Sequence, residues 1–325
     1  MKAIGLNRFG SAEVLEILNS PQPQVKPGEV LIKIEASGLN RADILIREGR
    51  YGSQMAFPVI PGFEAAGTVA ELGQRANKFQ AGQRVFALLE TGGYAEYVSV
   101  PENLVLPIPE KMSFAEAAGI PDVFLTVWIT LFKKARLRQG ERVLIHAAGS
   151  GIGIAAIQLA KVYGATVITT ASTEEKLEKA KKLGADSTIN YKERDFAETV
   201  KDITLGKGVD VILDGVGGST LDGDIRAIAP FGRIILIGTV GGREAQIALG
   251  RAINKNVTLH AFRLHGHTEN QMADYFQEFG REVMPPFAER KIRCIVDKTF
   301  KFEQAQQAHQ YLEQGKNFGK VILVP

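Results

Sequence analysis

Strands and helices alternate along the middle of the chain, from Arg142 to about Val257. Short apolar runs such as "RVLIHAA", "TVITTA", "VDVILDGV" and "RIILIGTV" are separated by amphipathic stretches such as "GIGIAAIQLAKVYG" and "STEEKLEKAKKLG". A helical stretch opened by Pro121 and closed by Gly140 precedes them. The runs are continuously apolar, which is typical of strands with helices over both faces of a parallel sheet. The pattern predicts an α/β fold with a doubly wound parallel sheet.

The two ends of the chain have a different texture from the middle. Residues 1–120 are rich in strand-like runs such as "EVLIKIEAS", "GTVAEL" and "QRVFALL", divided by Gly, Pro and Asn. The tail mixes helix and strand and ends in the strand "KVILVP". We therefore predict a nucleotide domain of residues 123–260, inserted in a second domain of residues 1–122 and 261–325.

The first strand of the nucleotide domain runs directly into a glycine-rich turn, and a helix follows at once. Gly149, Ser150, Gly151 and Gly153 lack bulk, so the backbone can approach a pyrophosphate and the helix can pack on the strand. The helix N-terminus offers unpaired N–H groups to an anion. A glycine turn without a ligand is the alternative, but the complete strand–turn–helix setting favours a dinucleotide.

The end of the second strand, "TTASTEEK", bears on which dinucleotide binds. An NAD site has an acidic residue about 20 residues after the turn, bonded to the ribose 2′-hydroxyl, and none stands at this tip. The hydroxyls of Ser172 and Thr173, with Lys176, suit a 2′-phosphate instead. We therefore expect NADPH rather than NADH. The same stretch also matches a capping box running from Ser172 to Glu175, which needs no ligand.

Composition excludes several classes of protein. The chain has 325 residues, a net charge of +3 and one cysteine, Cys294. These values predict no nucleic-acid partner, no internal disulfide and no cysteine-based zinc cluster. The start, "MKAIGLNRFGS", lacks the apolar region of a signal peptide, and no apolar run approaches the roughly 20 residues that span a bilayer. We expect a soluble, cytoplasmic protein without a membrane partner.

Long stretches in order along the chain resemble the zinc-free, zeta-crystallin-like quinone oxidoreductase branch of the medium-chain dehydrogenase/reductase superfamily. They are "SGLNRADILIREGRY", "AAGIPDVFLTVWITLF", "VLIHAAGSGIGIAAIQLAK", "KLGADSTINYK" and "GKNFGKVIL". The "LNRAD…Y" segment looks closest to the p53-inducible quinone oxidoreductase group. The resemblance implies a Rossmann domain inserted in a GroES-like, β-rich catalytic domain, and NADPH as cofactor.

The resemblance also implies which residues hold the cofactor. The family's phosphate-binding residues carry over to Thr173, Lys176 and Tyr191, and the loop beside the nicotinamide carries over to "GTVGG". With the turn and the segment at Asn317, the predicted cofactor-binding residues are Ala148, Ser150, Gly151, Ile152, Gly153, Ser172, Thr173, Lys176, Tyr191, Gly238, Val240 and Asn317.

The corner "PGFEAAG" resembles the place where zinc alcohol dehydrogenases of the same superfamily bind their catalytic metal. Those enzymes have Gly-His-Glu there, whereas this chain has Phe63 before Glu64. Their cysteine ligand falls at Asn40 and their third ligand near Asp122. One acid cannot hold Zn²⁺, which takes three or four N, S or O ligands, so we expect no metal. Phe63 is expected to fill the space of the lost ligand.

A site without a Lewis acid is poorly suited to deprotonating an alcohol and suits hydride delivery to an electron-poor acceptor. We expect an NADPH-dependent reductase of quinones or α,β-unsaturated carbonyls. Tyr51 is the first candidate for a donor to the developing oxyanion, by its likeness to the tyrosine of related enoyl-thioester reductases. Asn40 is expected to orient the carbonyl or the nicotinamide ribose, and Asp43 to brace that segment.

Two other functions stay open at this point. One is an enoyl-thioester or 2-alkenal reductase, and the other is a protein that binds NADPH without catalysis. Dimers are usual in the branch that the chain resembles, and "NVTLHAF" (256–262) reads as a strand near a sheet edge, so we expect a homodimer.

Overall fold

The computed structural model describes residues 1–51 and 56–325. In these ranges the strands are β1 (Lys2–Gly5), β2 (Glu16–Asn19), β3 (Glu29–Leu39), β4 (Glu64–Leu72), β5 (Arg84–Leu88), β6 (Tyr97–Pro101), β7 (Val105–Pro107), β8 (Arg142–Ile145), β9 (Thr166–Ala171), β10 (Ser187–Asn190), β11 (Val209–Asp214), β12 (Ile228–Leu236), β13 (Thr258–Ala261), β14 (Val296–Lys301) and β15 (Lys320–Val324). The α-helices are α1 (Arg41–Arg47), α2 (Phe114–Ala118), α3 (Pro121–Trp128), α4 (Gly151–Val162), α5 (Glu174–Lys182), α6 (Phe196–Ile203), α7 (Leu221–Ala227), α8 (Leu249–Asn254), α9 (Glu269–Ala288) and α10 (Ala305–Glu313). None of these helices combines the length and apolarity that crossing a membrane requires.

The chain forms two compact units, one of Met1–Leu125 with His267–Pro325 and one of Thr126–Gly266. We call them the outer unit and the nucleotide unit. The nucleotide unit is continuous in sequence, whereas the outer unit is assembled from both ends of the chain.

The nucleotide unit is built on a six-stranded sheet in the order β10-β9-β8-β11-β12-β13, with every neighbouring pair parallel. This is the strand order of a Rossmann fold, in which β8 and β11 flank the point where the order reverses. Apolar side chains of these strands, such as Leu144, Ile168 and Ile212, pack in a buried core with residues of α6 and α7. The α/β doubly wound prediction is confirmed.

The outer unit contains a seven-stranded sheet in the order β14-β15-β3-β4-β5-β7, with β6 also paired to β3. The last strand, β15, runs antiparallel to β3 and places Val321 opposite Leu39. The hydrophobic core of the outer unit includes Phe63, Tyr94 and Phe302. Most of the strands at the chain's two ends therefore form one sheet, while β1 and β2 form a separate two-stranded sheet.

The helix that follows Pro121 differs from its prediction. It is α-helical only to Trp128, and Ile129–Lys134 continues in the wider π-helical winding. The hydroxyl of Thr130 bonds the carbonyl of Thr126 at 2.6 Å, a back-bond that often accompanies bending of a helix. The chain then leaves the helix at Arg136, whose φ of 51° is left-handed.

Candidate functional site

The glycine-rich turn after β8 is closed by its own hydrogen bonds. The Ser150 hydroxyl donates to the Ala147 carbonyl at 2.8 Å and accepts from the Gly153 amide at 2.9 Å, so Ser150 is the N-cap of α4. A Cβ on Gly153 would lie 2.3 Å from that same carbonyl oxygen. The amides of Gly151 and Ile152 lie in the first helical turn, where no helical carbonyl precedes them. The turn therefore fits a pyrophosphate, as a dinucleotide site requires.

The start of α5 differs from the predicted capping box. Thr173, and not Ser172, is the N-cap, and its hydroxyl accepts from the Lys176 amide at 3.4 Å. Either hydroxyl fits a cap in sequence, and the position where β9 ends decides between them. Glu174 accepts from Asn190 at 3.5 Å and Glu175 pairs with Lys179 at 2.7 Å. Both acids therefore have partners within the protein.

The predicted phosphate-binding residues lie together at the carboxyl ends of β9 and β10. Tyr191 directly follows β10, and its amide donates to the carbonyl of Ala171, the last residue of β9, at 3.2 Å. The Tyr191 side chain is 51% exposed. Ser172, Thr173 and Lys176 follow the end of β9. Two hydroxyls and one ammonium are therefore grouped where a ribose phosphate would bind.

The loop after β12 is fixed by a second loop that sequence analysis missed. Asp214, at the end of β11, accepts from the amides of Val216 and Gly217 at 2.6 and 3.1 Å. The Val216 carbonyl then accepts from the Gly241 amide at 2.7 Å. Gly238 and Val240 are thereby held at the carboxyl edge of the sheet, and Val240 is exposed. The eleven predicted cofactor residues of the nucleotide unit follow the carboxyl ends of its strands, where Rossmann folds bind their ligands. The twelfth, Asn317, belongs to the outer unit.

The corner that the sequence singled out lies in the outer unit, just before β4. Gly62 has a φ of 108°, and a Cβ there would lie 2.6 Å from the Gly93 Cα, so the corner requires glycine. Phe63 is only 2% exposed, and its ring meets the half-buried ring of Tyr51 edge-on at a centroid distance of 5.4 Å. Phe63 is therefore buried at the corner with Tyr51 packed against it, and its replacement of a metal ligand stays a prediction.

Glu64 is the centre of the corner. Its carboxylate accepts from the Asn40 side-chain amide at 2.9 Å and from the Asp122 backbone amide at 2.8 Å. The Lys320 ammonium lies 2.7 Å from the same carboxylate, and both side chains are buried. Burial raises the pKa of Glu64, and Lys320 opposes that rise. Asn40, Phe63 and Asp122, the three positions that the resemblance equates with zinc ligands, therefore lie around one carboxylate that already has an internal cation.

Asp43 braces the corner, as predicted. One carboxylate oxygen accepts from the backbone amide of Asn40 at 2.7 Å, and the other accepts from the backbone amide of Gly62 at 2.9 Å. Burial raises the pKa of Asp43 to about 7. The Tyr94 hydroxyl, which hydrogen-bonds the Asp43 carboxyl, lies 3.3 Å from Nε2 of the buried His309, whose Nδ1 faces Arg47. A buried polar network therefore extends from the corner to α10.

The residues of the corner do not fit a zinc ion. Phe63 offers no ligand atom, and the Asn40 side-chain oxygen accepts from the Lys320 ammonium, which would repel a metal cation. Across residues 1–51 and 56–325, no three His, Cys, Asp or Glu side chains are grouped so that they could hold a metal. Cys294, which lies against Gly119, is buried, and that burial raises the pKa of its thiol.

Comparison with known proteins identifies the two domains and the relatives of the chain. Residues 26–110 match the alcohol dehydrogenase GroES-like domain, and residues 151–279 match the domain described as zinc-binding dehydrogenase. The chain is 32% identical to the quinone oxidoreductase of Rattus norvegicus, over 100% of this chain and 98% of that one. It is 30% identical to the synaptic vesicle membrane protein VAT-1 homolog of the same organism, over 100% of this chain and 84% of that one.

A solved structure extends the likeness to three dimensions. Quinone oxidoreductase of Escherichia coli, crystallised with NADPH, superposes with a TM-score of 0.93 at 30% identity, over 100% of both chains. Both parts of the predicted fold, the GroES-like domain and the Rossmann domain, are confirmed. The likeness to the p53-inducible group stays a prediction. The chain belongs to the quinone oxidoreductases of the medium-chain dehydrogenase/reductase superfamily.

Proposed function

We propose that the protein is an NADPH-dependent, metal-independent reductase that transfers hydride to quinones or α,β-unsaturated carbonyls. One observation carries the metal-independent part. The Lys320 ammonium, and not a metal, balances Glu64 where zinc enzymes of the superfamily hold their ion. Without a Lewis acid the corner has no group that would lower the pKa of an alcohol, so an acceptor that needs no such activation is favoured.

The cofactor assignment rests on the carboxyl edge of the nucleotide unit. The cradle at Gly153 would hold the pyrophosphate, and Thr173, Lys176 and Tyr191 would hold the 2′-phosphate. When bound, NADPH supplies the hydride. The partnered state of Glu174 and Glu175 supports a phosphate here, because neither acid needs to turn towards it.

In the outer unit we assign the acceptor to the corner. Tyr51, packed on Phe63, is the proposed donor to the oxygen that gains negative charge during reduction. The side-chain amide of Asn40, which is 6% exposed, is the proposed second donor. A phenol and an amide are neutral, so each can stabilise an oxyanion without binding the ground state as a full charge would.

The test follows the oxidation of NADPH and of NADH at 340 nm with 1,2-naphthoquinone, an aliphatic enal or crotonyl-CoA. A primary alcohol is offered with NADP⁺ in the reverse direction. We expect NADPH-selective turnover of quinone or enal that a chelator leaves unchanged. Alcohol oxidation that a chelator abolishes would refute the metal-free corner. Crotonyl-CoA as the best acceptor would identify an enoyl-thioester reductase, and tight NADPH binding without any turnover would identify a binding protein.

We also propose a cytoplasmic homodimer that pairs through β13. This strand ends the six-stranded sheet, and Leu259 on it is 49% exposed. The preceding helix α8 exposes Leu249 and Ile253 as well. Pairing of two β13 strands would satisfy their unpaired edge groups and cover Leu259. Light scattering should give twice the chain mass for the wild type and the chain mass for Leu259→Lys, whereas a monomeric wild type would contradict the dimer.

A further inference from the structure

The ammonium of Lys320 has three protons and three acceptors. Lys320 is the first residue of β15, whose pairing with β3 brings it beside Leu39 and Asn40. Its Nζ donates to the Leu39 carbonyl at 3.1 Å and to the Asn40 side-chain oxygen, and it lies 2.7 Å from the Glu64 carboxylate. Because an ammonium has three N–H donors, every one of them is assigned within the protein. Lys320 therefore has no proton left to offer a ligand.

The surrounding backbone makes room for this pair. A Cβ on Gly38 would lie 2.1 Å from the Glu64 carboxylate oxygen, and a Cβ on Gly119 would lie 2.9 Å from the Lys320 side chain. A side chain at Gly38 would collide with the Glu64 carboxylate, and one at Gly119 would collide with the Cys294 sulfur and the aliphatic part of Lys320. The pair is therefore packed in a fixed geometry, although burying two charges is costly in itself.

The pair fixes the direction of the Asn40 amide. Its oxygen must face the ammonium, and its nitrogen donates to Glu64 at 2.9 Å, so the opposite orientation would point like groups at each other. An amide nitrogen has two protons, and Glu64 takes one. The second finds no acceptor in the described part of the chain, residues 1–51 and 56–325. A buried donor of fixed direction is therefore available at the corner.

We propose that Lys320 and Glu64 are positioning residues of the reductase: together they aim the second N–H of Asn40 at the carbonyl oxygen of the acceptor. The inference rests on the proposed function, because it requires that an acceptor binds at this corner. Neither charged group touches the acceptor. Their effect passes through Asn40, whose hydrogen bond strengthens as the oxygen gains charge.

The test is a double-mutant cycle between Asn40→Ala and a pair variant that removes both charges. Lys320→Met alone would leave Glu64 buried without its cation, so it is combined with Glu64→Gln. We expect this pair variant to lower kcat for the enal by about tenfold to a hundredfold, with the KM for NADPH within about twofold of wild type. Asn40→Ala should give a similar loss, and adding the pair variant to Asn40→Ala should lower kcat no further. The control is Lys291→Met with Glu289→Gln, an exposed pair 2.7 Å apart in the same unit, which should leave kcat unchanged.

The results distinguish a failure of the proposed function from a failure of the positioning role of Lys320 and Glu64. No turnover by the wild type would overturn the proposed function and this inference with it. Turnover by the wild type with an unchanged kcat of the folded pair variant would overturn the inference alone. So would a further tenfold loss in the Asn40→Ala background, since the pair would then act by another route. Should the methionine variant not fold, Lys320→Gln with Glu64→Gln keeps polar groups at both positions and must show the same loss.

Discussion

Replacing Gly153 by alanine tests the dinucleotide cradle most directly. The added Cβ would lie 2.3 Å from the Ala147 carbonyl oxygen and 2.8 Å from that of Ala148. Ordinary contact begins at 3.4 Å, so the turn and α4 must separate by about 1 Å. Both colliding atoms belong to the backbone, which cannot rotate away as a side chain would. The displaced amides would then no longer converge on the pyrophosphate.

A displacement of this size weakens the binding of NADPH. A shift of about 1 Å in a preorganised polar site costs about 2–3 kcal/mol, so the Kd for NADPH should rise about 30- to 150-fold. Quenching of intrinsic fluorescence during titration with NADPH measures the Kd, and circular dichroism checks the fold. Gly250→Ala in α8 is the matched control, because its Cβ would meet nothing within 4 Å. It should leave the Kd unchanged and stabilise the helix by about 0.5–1 kcal/mol. A Gly153→Ala variant that binds NADPH as the wild type does would refute the proposed pyrophosphate site.

Three further changes probe other parts of the molecule. Tyr51→Phe should lower kcat on enals with little change in NADPH affinity, and identical kinetics on every acceptor would remove Tyr51 from the mechanism. Lys176→Ala should raise the KM for NADPH while that for NADH stays constant, and an equal rise for both would mean that Lys176 does not contact the 2′-phosphate. Burial and the neighbouring Arg47 lower the pKa of His309 to about 3, so stability that is complete above its unfolded pKa of 6.5 is lost as the pH falls. The difference in unfolding free energy between His309→Gln and wild type, from urea denaturation, should therefore shift by about 2 kcal/mol in favour of the variant between pH 6.5 and 5. A constant difference would mean that His309 titrates normally.

The sequence predicts the parts of this protein whose causes are local. Apolar runs without alternation predict buried parallel strands, and the glycines beside Ser150 predict the turn, because both depend on neighbours in the chain. The predicted capping residue of α5 was wrong by one position. Ser172 and Thr173 have equivalent chemistry, and only the position where β9 ends decides which of them caps the helix. Phe63 in place of a histidine predicts a metal-free corner, and this stays a prediction.

The cation of that corner could not be predicted from local sequence. Lys320 lies far along the chain from Glu64, and only the pairing of β15 with β3 brings them together. In sequence it is one of the many Lys and Arg residues, preceding an ordinary apolar strand. The hydrogen bonds of Asp214 to Val216 and Gly217 are local, whereas the bond from the Gly241 amide to the Val216 carbonyl joins two strand ends that are distant in sequence and was missed for the same reason.

The position of β15 inside the sheet of the outer unit also sets an order of events during protein synthesis. Thr126–Gly266 is continuous, so the nucleotide unit is complete before the ribosome reaches His267–Pro325, the second part of the outer unit. The outer unit must wait, because β14 and β15 join its sheet from the other end of the chain. Until β15 is made, Glu64 lacks the Lys320 ammonium, and the neighbouring strand β3 lacks its partner on the β15 side. The nascent outer unit therefore keeps an open edge on β3 until the end of synthesis, and the corner around Glu64 is completed last.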